Sequence, residues 1–379
     1  MYRSTYVVIM AGGIGSRFWP VSRTDFPKQF LDILGTGETL IQQTFKRFET
    51  LAPVENIYVV TSTEYTDIVE KQLPTLLKEN ILSEPERKNT APCIAYASFK
   101  ILQKDPAASI IVAPADHLIL DQQAFEAVCT QALQFIDIHH DALLTLGIKP
   151  SYANTGYGYI QFNKETAQSG VHKVIAFTEK PDAQRAAKFV NGGEHLWNSG
   201  IFVWKARSII NSIEKYLTDL FQLFKEKQSW LGTSFEKLMI ADIYAVCENV
   251  SIDVGVMEKA GNVYIIPASF RWSDLGTWNS AWENMGKDRR NNAVAGNGVL
   301  VIDTTQCVVH ASDEKLVVLQ GLQNYIVVDT TDVLLICQKE KEQDIKNYVS
   351  EVKKLKGERY LYSVNNILKP AGAVLERVY

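Results

Sequence analysis

Three glycines, Gly12, Gly13 and Gly15, break an apolar run from Val7 to Met10, and Arg17, Arg23 and Lys28 follow within one short loop. Glycines after a buried strand bring bare backbone N–H groups close to a ligand, and such groups beside cations suit an anion. Trp19, Pro20 and Pro27 stiffen the chain between the cations, which keeps the charges from spreading into solvent. A rigid cationic loop fits a polyphosphate. The dinucleotide pattern G-x-G-x-x-G would need glycine where Phe18 stands, and the P-loop would need a Gly-Lys-Ser/Thr ending that is missing. A purely structural tight turn is the other reading of Ala-Gly-Gly taken alone.

The elements that must hold this loop are legible as texture. Apolar runs at 6–10, 57–61, 110–113 and 143–146 alternate with longer stretches of helical spacing. In Thr39–Phe48, for instance, Leu40, Ile41, Thr44, Phe45 and Phe48 recur at steps of three and four. The alternation predicts an α/β, Rossmann-like sheet, mixed and mostly parallel, with helices on both faces. Ligands in such sheets sit at the carboxyl ends of strands, where both the glycine loop and the segment APADH (113–117) fall, so we expect the two to share a site.

After the turn-rich 286–298 the texture changes. Short β-like segments begin near Val299, Cys307, Leu316, Tyr325 and Val333, a spacing that suits a small β-helix-like unit. Gln338 to Lys356 reads as an amphipathic helix with Ile345, Val349, Val352 and Leu355 on one stripe and Gly357 as its stop. We therefore expect a catalytic domain over 1–287 and a C-terminal domain over 288–379. Beyond the helix, Tyr360, Leu361, Tyr362, Ile367, Leu368 and Val374 are expected to pack.

Composition narrows the class. With 379 residues and 46% hydrophobic content the chain can bury one large core or two. Its 39 basic and 43 acidic residues leave a net charge of -4, so no bulk field draws a polyanion and nucleic acid is excluded as a partner. Five scattered cysteines without a C-x-x-C spacing indicate neither a zinc site nor a disulfide framework. There is no cleavable leader and no run approaching the ~18 apolar residues of a membrane span, so we expect a cytoplasmic protein with no membrane partner.

The stretch AGGIGSRFWPVSRTDFPKQF resembles the signature of the sugar-1-phosphate nucleotidylyltransferases, and within them the mannose-1-phosphate guanylyltransferases. ERKNTAP (86–92), APADH (113–117), TGYGYI (155–160), FTEKP (177–181), NSGIFVW (198–204), SIDVGVMEK (251–259) and WSDLGTW (272–278) extend the likeness in order to about residue 285. Phe18, where leucine is usual, and Val254, where an aromatic is common, depart from the pattern without touching its charges.

The resemblance implies transfer of GMP from GTP to mannose 1-phosphate, giving GDP-mannose and pyrophosphate, with Mg2+ as cofactor. It implies that the backbone of Gly12, Gly13 and Gly15 receives the nucleotide, that Arg17 holds the departing phosphates and that Lys28 meets the α-phosphate. Asp116 and Asp274 become the metal ligands, since magnesium takes only one or two protein carboxylates; for Asp274 a turn-capping role is the other reading. Glu84, Asn89 and Thr90 are implied for the guanine, although Asn89 and Thr90 would serve equally as loop caps. Gly158, Glu179, Lys180 and Asn198 are implied for the sugar phosphate: a carboxylate for hydroxyls, an ammonium for the monoester. Asp253 is either part of that wall or structural, and His117 is left outside the site.

Within the family a homodimer is expected, because the stripe on the C-terminal helix needs a covering surface in the same or another chain. Some relatives carry a further metal-binding isomerase barrel; His310 is the only histidine after residue 287, so no His-rich metal site is expected. The competing functions are another hexose-1-phosphate nucleotidylyltransferase, using thymidine or uridine nucleotides, and a non-catalytic nucleotide-sugar-binding subunit. The latter would be expected to lose Arg17, Lys28, Asp116 or Asp274, and all four are present.

Overall fold

A computed structural model describes residues 4–312 and 315–363, so Ile367, Leu368 and Val374 lie outside the described residues. Its contacts divide the chain into two compact units, one of residues 4–12, 44–115 and 119–272, the other of residues 13–43, 116–118 and the described part of 273–363.

In chain order the first strands are β1 (Thr5–Ala11), β2 (Ile57–Ser62), β3 (Ile81–Glu84), β4 (Ser109–Pro114), the two-residue β5 (Leu118–Ile119), β6 (Leu143–Ile148), β7 (Tyr159–Phe162), β8 (His172–Thr178), β9 (His195–Lys205) and β10 (Val263–Ala268). Nine of them form the sheet of the first unit, in the order β3-β2-β1-β4-β9-β6-β10-β8-β7. β1 is central to the parallel part, with Val8 opposite both Tyr58 and Val112. Such strands, buried on both faces, read as continuous apolar runs, which is why they were visible in the sequence. The sheet is less parallel than the alternation predicts. β9 runs antiparallel to both β4 and β6, and β7, β8 and β10 add further antiparallel pairs.

Helices α1 (Leu40–Phe48), α2 (Thr66–Gln72), α3 (Thr90–Lys104), α4 (Gln122–Ile138), α5 (Ala183–Gly192), α6 (Ala206–Tyr216), α7 (Thr218–Lys227) and α8 (Glu236–Val246) connect these strands. Every residue of the predicted stripe on α1 is buried. Tyr6, Val8, Tyr58, Val60, Ile110 and Val112 face a core shared with α3, α6, α7 and α8. The alternate residues Val7, Ile9 and Ile111 point to the other face, as the two-residue period of a strand requires.

The second unit continues through β11 (Trp272–Ser273), which begins in the first, to α9 (Trp278–Asn284) and the strands β12 (Ala293–Ala295), β13 (Val299–Ile302), β14 (Val308–Ala311), β15 (Val317–Gln320), β16 (Tyr325–Asp329) and β17 (Leu334–Gln338). β12, β14 and β16 stack in parallel, β13 and β15 do likewise, and β17 closes the larger stack antiparallel: the expected β-helix-like unit. The terminal helix α10 (Ile345–Lys356) starts later than the sequence predicts. Gln338 belongs to β17, and Lys339–Asp344, a charged run with no apolar anchor, forms a 3-10 turn. Ile345 is buried and Val349 and Val352 pack inward, but Leu355 is 77% exposed and leaves the stripe. The stripe is covered within the chain, by a core that includes Phe18, Trp19, Trp278, Val308 and Ile326. It therefore gives no reason to expect a second copy.

Candidate active site

Local rules place the glycine loop. Gly15 has φ +64°, a left-handed conformation that disfavours a side chain, and a Cβ there would collide with Cβ of Lys28. The backbone then makes a 3-10 turn at Ser16–Phe18, Ser22 Oγ donates to the Ile14 carbonyl, and Gln29 Nε2 donates to the Gly13 carbonyl at 2.9 Å. Phe18 seats its ring 4.9 Å from that of Trp278, so the loop is anchored by its aromatic residues while Gly13 stays exposed.

The three loop cations have different fates. Lys28, only 4% exposed, spends its ammonium on Asp116 Oδ2 at 2.8 Å and on the main-chain carbonyls of Asp274 and Leu275 at 2.7 and 3.0 Å. An ammonium has three N–H donors, and each has an acceptor. Arg23 is buried and takes Asp332 at 2.6 Å together with the carbonyls of Pro20 and Tyr360. Arg23 is thus a structural clamp. Arg17 is half-buried, and its Nε donates to Gln343 Oε1 at 3.0 Å.

Asp116 lies two residues beyond β4. Burial pushes its carboxyl up, but the Lys28 ammonium, His117 and hydrogen bonding pull harder the other way, and the net is below the ordinary carboxylate range. His117, left outside the site by sequence, thus lies close enough to act on Asp116 electrostatically. Asp274 sits in a strained turn. Leu275 has φ +43°, and Gly276 donates to Asp274 Oδ1 at 3.0 Å in a space where a Cβ would stand 2.7 Å from Oδ2. Lys28 therefore ties both predicted metal ligands to one centre, Asp116 by its carboxylate and Asp274 by its main chain. Among the described residues no three His, Cys, Asp or Glu side chains form a metal cage. The Asp116 carboxylate beside the Asp274 turn fits a hard cation that takes its other oxygens from phosphates and water.

In the first unit, Glu84 ends β3, accepts from Tyr244 Oη at 2.7 Å, and directs Oε2 towards the backbone of Gly12. Burial pushes its carboxyl up to about 7 against the lowering effect of that hydrogen bond. Asn89 and Thr90 adopt the capping geometry. Asn89, at φ +69°, caps α3 by accepting from Thr90 N, and Thr90 Oγ1 accepts from Ile252 N at 2.9 Å.

The sugar-phosphate candidates are gathered closely. Asn198 N donates to the Gly158 carbonyl, and a Cβ on Gly158 would lie 2.6 Å from Glu179 Oε2. Glu179 pairs with Lys180 at 2.9 Å, and Lys180 holds φ +42° with its side chain 64% exposed. Asn198 Oδ1 accepts from Gly200 N and Thr145, and Nδ2 donates to Asp253 Oδ1 at 2.7 Å, which leaves one amide hydrogen for a ligand. Asp253, on a π-helical turn, has its carboxyl pushed up to about 6 by burial and by the charge of Glu179, against the hydrogen bond from Asn198. Its place beside Glu179 and Asn198 makes it a fuller member of this group than its sequence indicated. Gln343 and Asp332 carried no sequence signal, since each sits in a polar run far along the chain.

Residues 6–291 match the nucleotidyl transferase family model, and residues 296–352 match that of the MannoseP isomerase/GMP-like β-helix domain. The chain belongs to the nucleotidyl transferase family. Its chemistry is nucleotidyl transfer, and members of the family generally use a divalent metal. Among its relatives, the alginate biosynthesis protein AlgA of Pseudomonas syringae pv. tomato is 38% identical over 353 residues, which cover 90% of this chain and 71% of that protein. The mannose-1-phosphate guanylyltransferase of Escherichia coli is 36% identical, covering 91% of this nucleotidyl transferase and 73% of that protein. A solved structure described as mannose-1-phosphate geranyltransferase from Thermus thermophilus superposes with a TM-score of 0.83 at 28% identity, covering 92% of this chain and 99% of that one. The five cysteines of the nucleotidyl transferase are buried and free, and among the described residues no helix is long and apolar enough to cross a membrane.

Proposed function

We propose that the chain is a magnesium-dependent mannose-1-phosphate guanylyltransferase, converting GTP and α-D-mannose 1-phosphate into GDP-mannose and pyrophosphate. The observation that carries the reading is the convergence of Asp116 and the Asp274 turn on Lys28. It supports one centre of alternating charge where the α-phosphate would react. A phosphate oxygen of the sugar monoester forms a bond to the α-phosphorus of GTP, and the bond to the bridging oxygen breaks, leaving on pyrophosphate. Little covalent help is needed, so the residues act by alignment and by neutralising charge.

Arg17 would hold the β- and γ-phosphates, and Gly12, Gly13 and Gly15 would lend backbone N–H groups and room. Lys28, held beside Asp116, would donate to the α-phosphate and neutralise charge there. Asp116 and Asp274 would hold magnesium, which when bound supplies positive charge to the phosphate oxygens. Glu84, ionised, would accept the N1 and N2 hydrogens of guanine, with the Asn89–Thr90 cap shaping the loop. Glu179, Asn198 and Asp253 would take sugar hydroxyls, and Lys180 would take the monoester phosphate.

The domain division at 287/288 belongs to this reading and is supported by family matches that end at 291 and resume at 296. A cytoplasmic location, expected from the sequence, and a homodimer, expected from the family, are part of the same proposal. Pyrophosphate release across GTP, ATP, UTP and dTTP, each with mannose 1-phosphate and glucose 1-phosphate, tests the whole. GTP with mannose 1-phosphate is expected to dominate; comparable turnover of dTTP with glucose 1-phosphate would overturn it.

A further inference from the structure

Arg17 and Arg23 belong to one loop but are held by chemically different partners. Arg23 meets the carboxylate of Asp332, which cancels its charge. Arg17 meets the neutral carboxamide of Gln343 through Nε alone. A guanidinium offers five N–H donors in one plane. An acceptor on Nε fixes that plane and leaves the donors of both terminal nitrogens outside this bond, with the charge undiminished.

Gln343 is exposed, but its backbone is carried between packed elements. It lies on the turn Lys339–Asp344, between β17 and α10, and α10 brings Val349 and Val352 into the core that contains Phe18 and Trp19. The preceding residue, Glu342, is directed elsewhere: its Oε2 accepts from Asn279 N at 2.8 Å, in the first turn of α9 and just after the Asp274 turn. The carboxylate of this pair thus serves a helix N-terminus, and the carboxamide serves the arginine. The reverse assignment would have neutralised Arg17.

We propose that Gln343 is a positioning residue for phosphate binding, one that orients Arg17 without quenching it and so ties the β-helix-like domain to the triphosphate loop. The inference rests on the phosphate role proposed for Arg17. Its test is a double-mutant cycle read by calorimetric binding of GTP and of pyrophosphate to the full chain, with melting temperature as a control. Gln343→Ala is expected to weaken both ligands about five- to tenfold in the wild-type background, as the loss of an ordering hydrogen bond would. With Arg17→Ala already present it should weaken them less than twofold, because coupled residues are non-additive. Gln343→Glu should weaken both at least as much as Gln343→Ala at low ionic strength, and KM for mannose 1-phosphate should be unchanged throughout. Equal effects of Gln343→Ala in both backgrounds, an effect below twofold in the wild type, or wild-type GTP binding by Gln343→Glu would each overturn the proposal. Should the wild type bind GTP yet form no GDP-mannose, the functional reading fails while the binding cycle still decides this one.

Discussion

Around Lys28 the polar groups answer one another within the chain: one ammonium, one carboxylate and two carbonyls, with the Asp116 carboxyl held below its ordinary range. Around Glu84 and Asp253 the balance is reversed. Glu84 is buried and Asp253 half-buried, each with a single side-chain hydrogen bond, from Tyr244 or from Asn198, and each is pushed up, to about 7 and about 6. The first group is built in advance by its own ion pair. The second holds acceptor capacity that ligand N–H and O–H donors would satisfy, at a cost in stability until they arrive.

The most severe way to break the contrast is Lys28→Met. It strands Asp116 and two carbonyls, so a loss of about 3–5 kcal/mol is expected, with turnover down at least about a hundredfold. Chemical denaturation measures the first; an unchanged unfolding midpoint would remove Lys28 from its structural role. The exposed Lys180 is the counterpart. Lys180→Ala should leave stability alone and raise KM for mannose 1-phosphate about tenfold.

Asp116→Asn and Asp274→Asn separate what the two aspartates share. Both should cut turnover about a hundredfold and shift the magnesium dependence. Only Asp116→Asn should also lower the melting temperature, since it leaves the buried Lys28 charge without its carboxylate, whereas Asp274 meets Lys28 through its main chain. Equal melting temperatures for the two variants would contradict this division.

The sign of the pH effect follows from the raised carboxyl of Glu84. Its folded value of about 7 exceeds the ordinary 4.5, so the folded state binds the extra proton and its stability falls as pH rises from about 4.5 to 7. Glu84→Gln lacks that loss. Its stability relative to wild type should therefore rise by about 3 kcal/mol between pH 4 and pH 8, and a flat difference would argue against the shift. In the wild type, KM for GTP should rise as pH drops below about 7, because the protonated carboxyl no longer accepts from guanine.

The smallest expected effect sharpens the sugar side. Gly158→Ala would press a methyl group against Glu179, moving the carboxylate and raising KM for mannose 1-phosphate about fivefold, with KM for GTP unchanged. Steady-state kinetics with each substrate varied in turn checks it.

Much of this was legible in the sequence because it is local. A strand buried on both faces is an apolar run, so β1 and β4 and the positions of Gly12 and Asp116 at their carboxyl ends could be read directly. The stripe on α1 and the repeating short strands of the β-helix-like unit were visible in the same way. Legibility failed where a residue's partner lies far along the chain. Arg17, Arg23 and Lys28 look alike in the loop, yet their partners stand at 343, at 332, and at 116 with 274 and 275. The start of α10 is not legible because a charged run is compatible with several backbone states until an apolar residue is anchored.

By itself, then, the amino-acid order determined the elements, the glycine turn and the kinds of charge that the site contains, since these follow from backbone sterics and from patterns within a few residues. Tertiary structure alone decided which cation is neutralised, which is held by a neutral amide and which carboxyls are pushed up. Those properties depend on burial and on distance to groups hundreds of residues away, and electrostatic interactions are set by separation in space rather than along the chain.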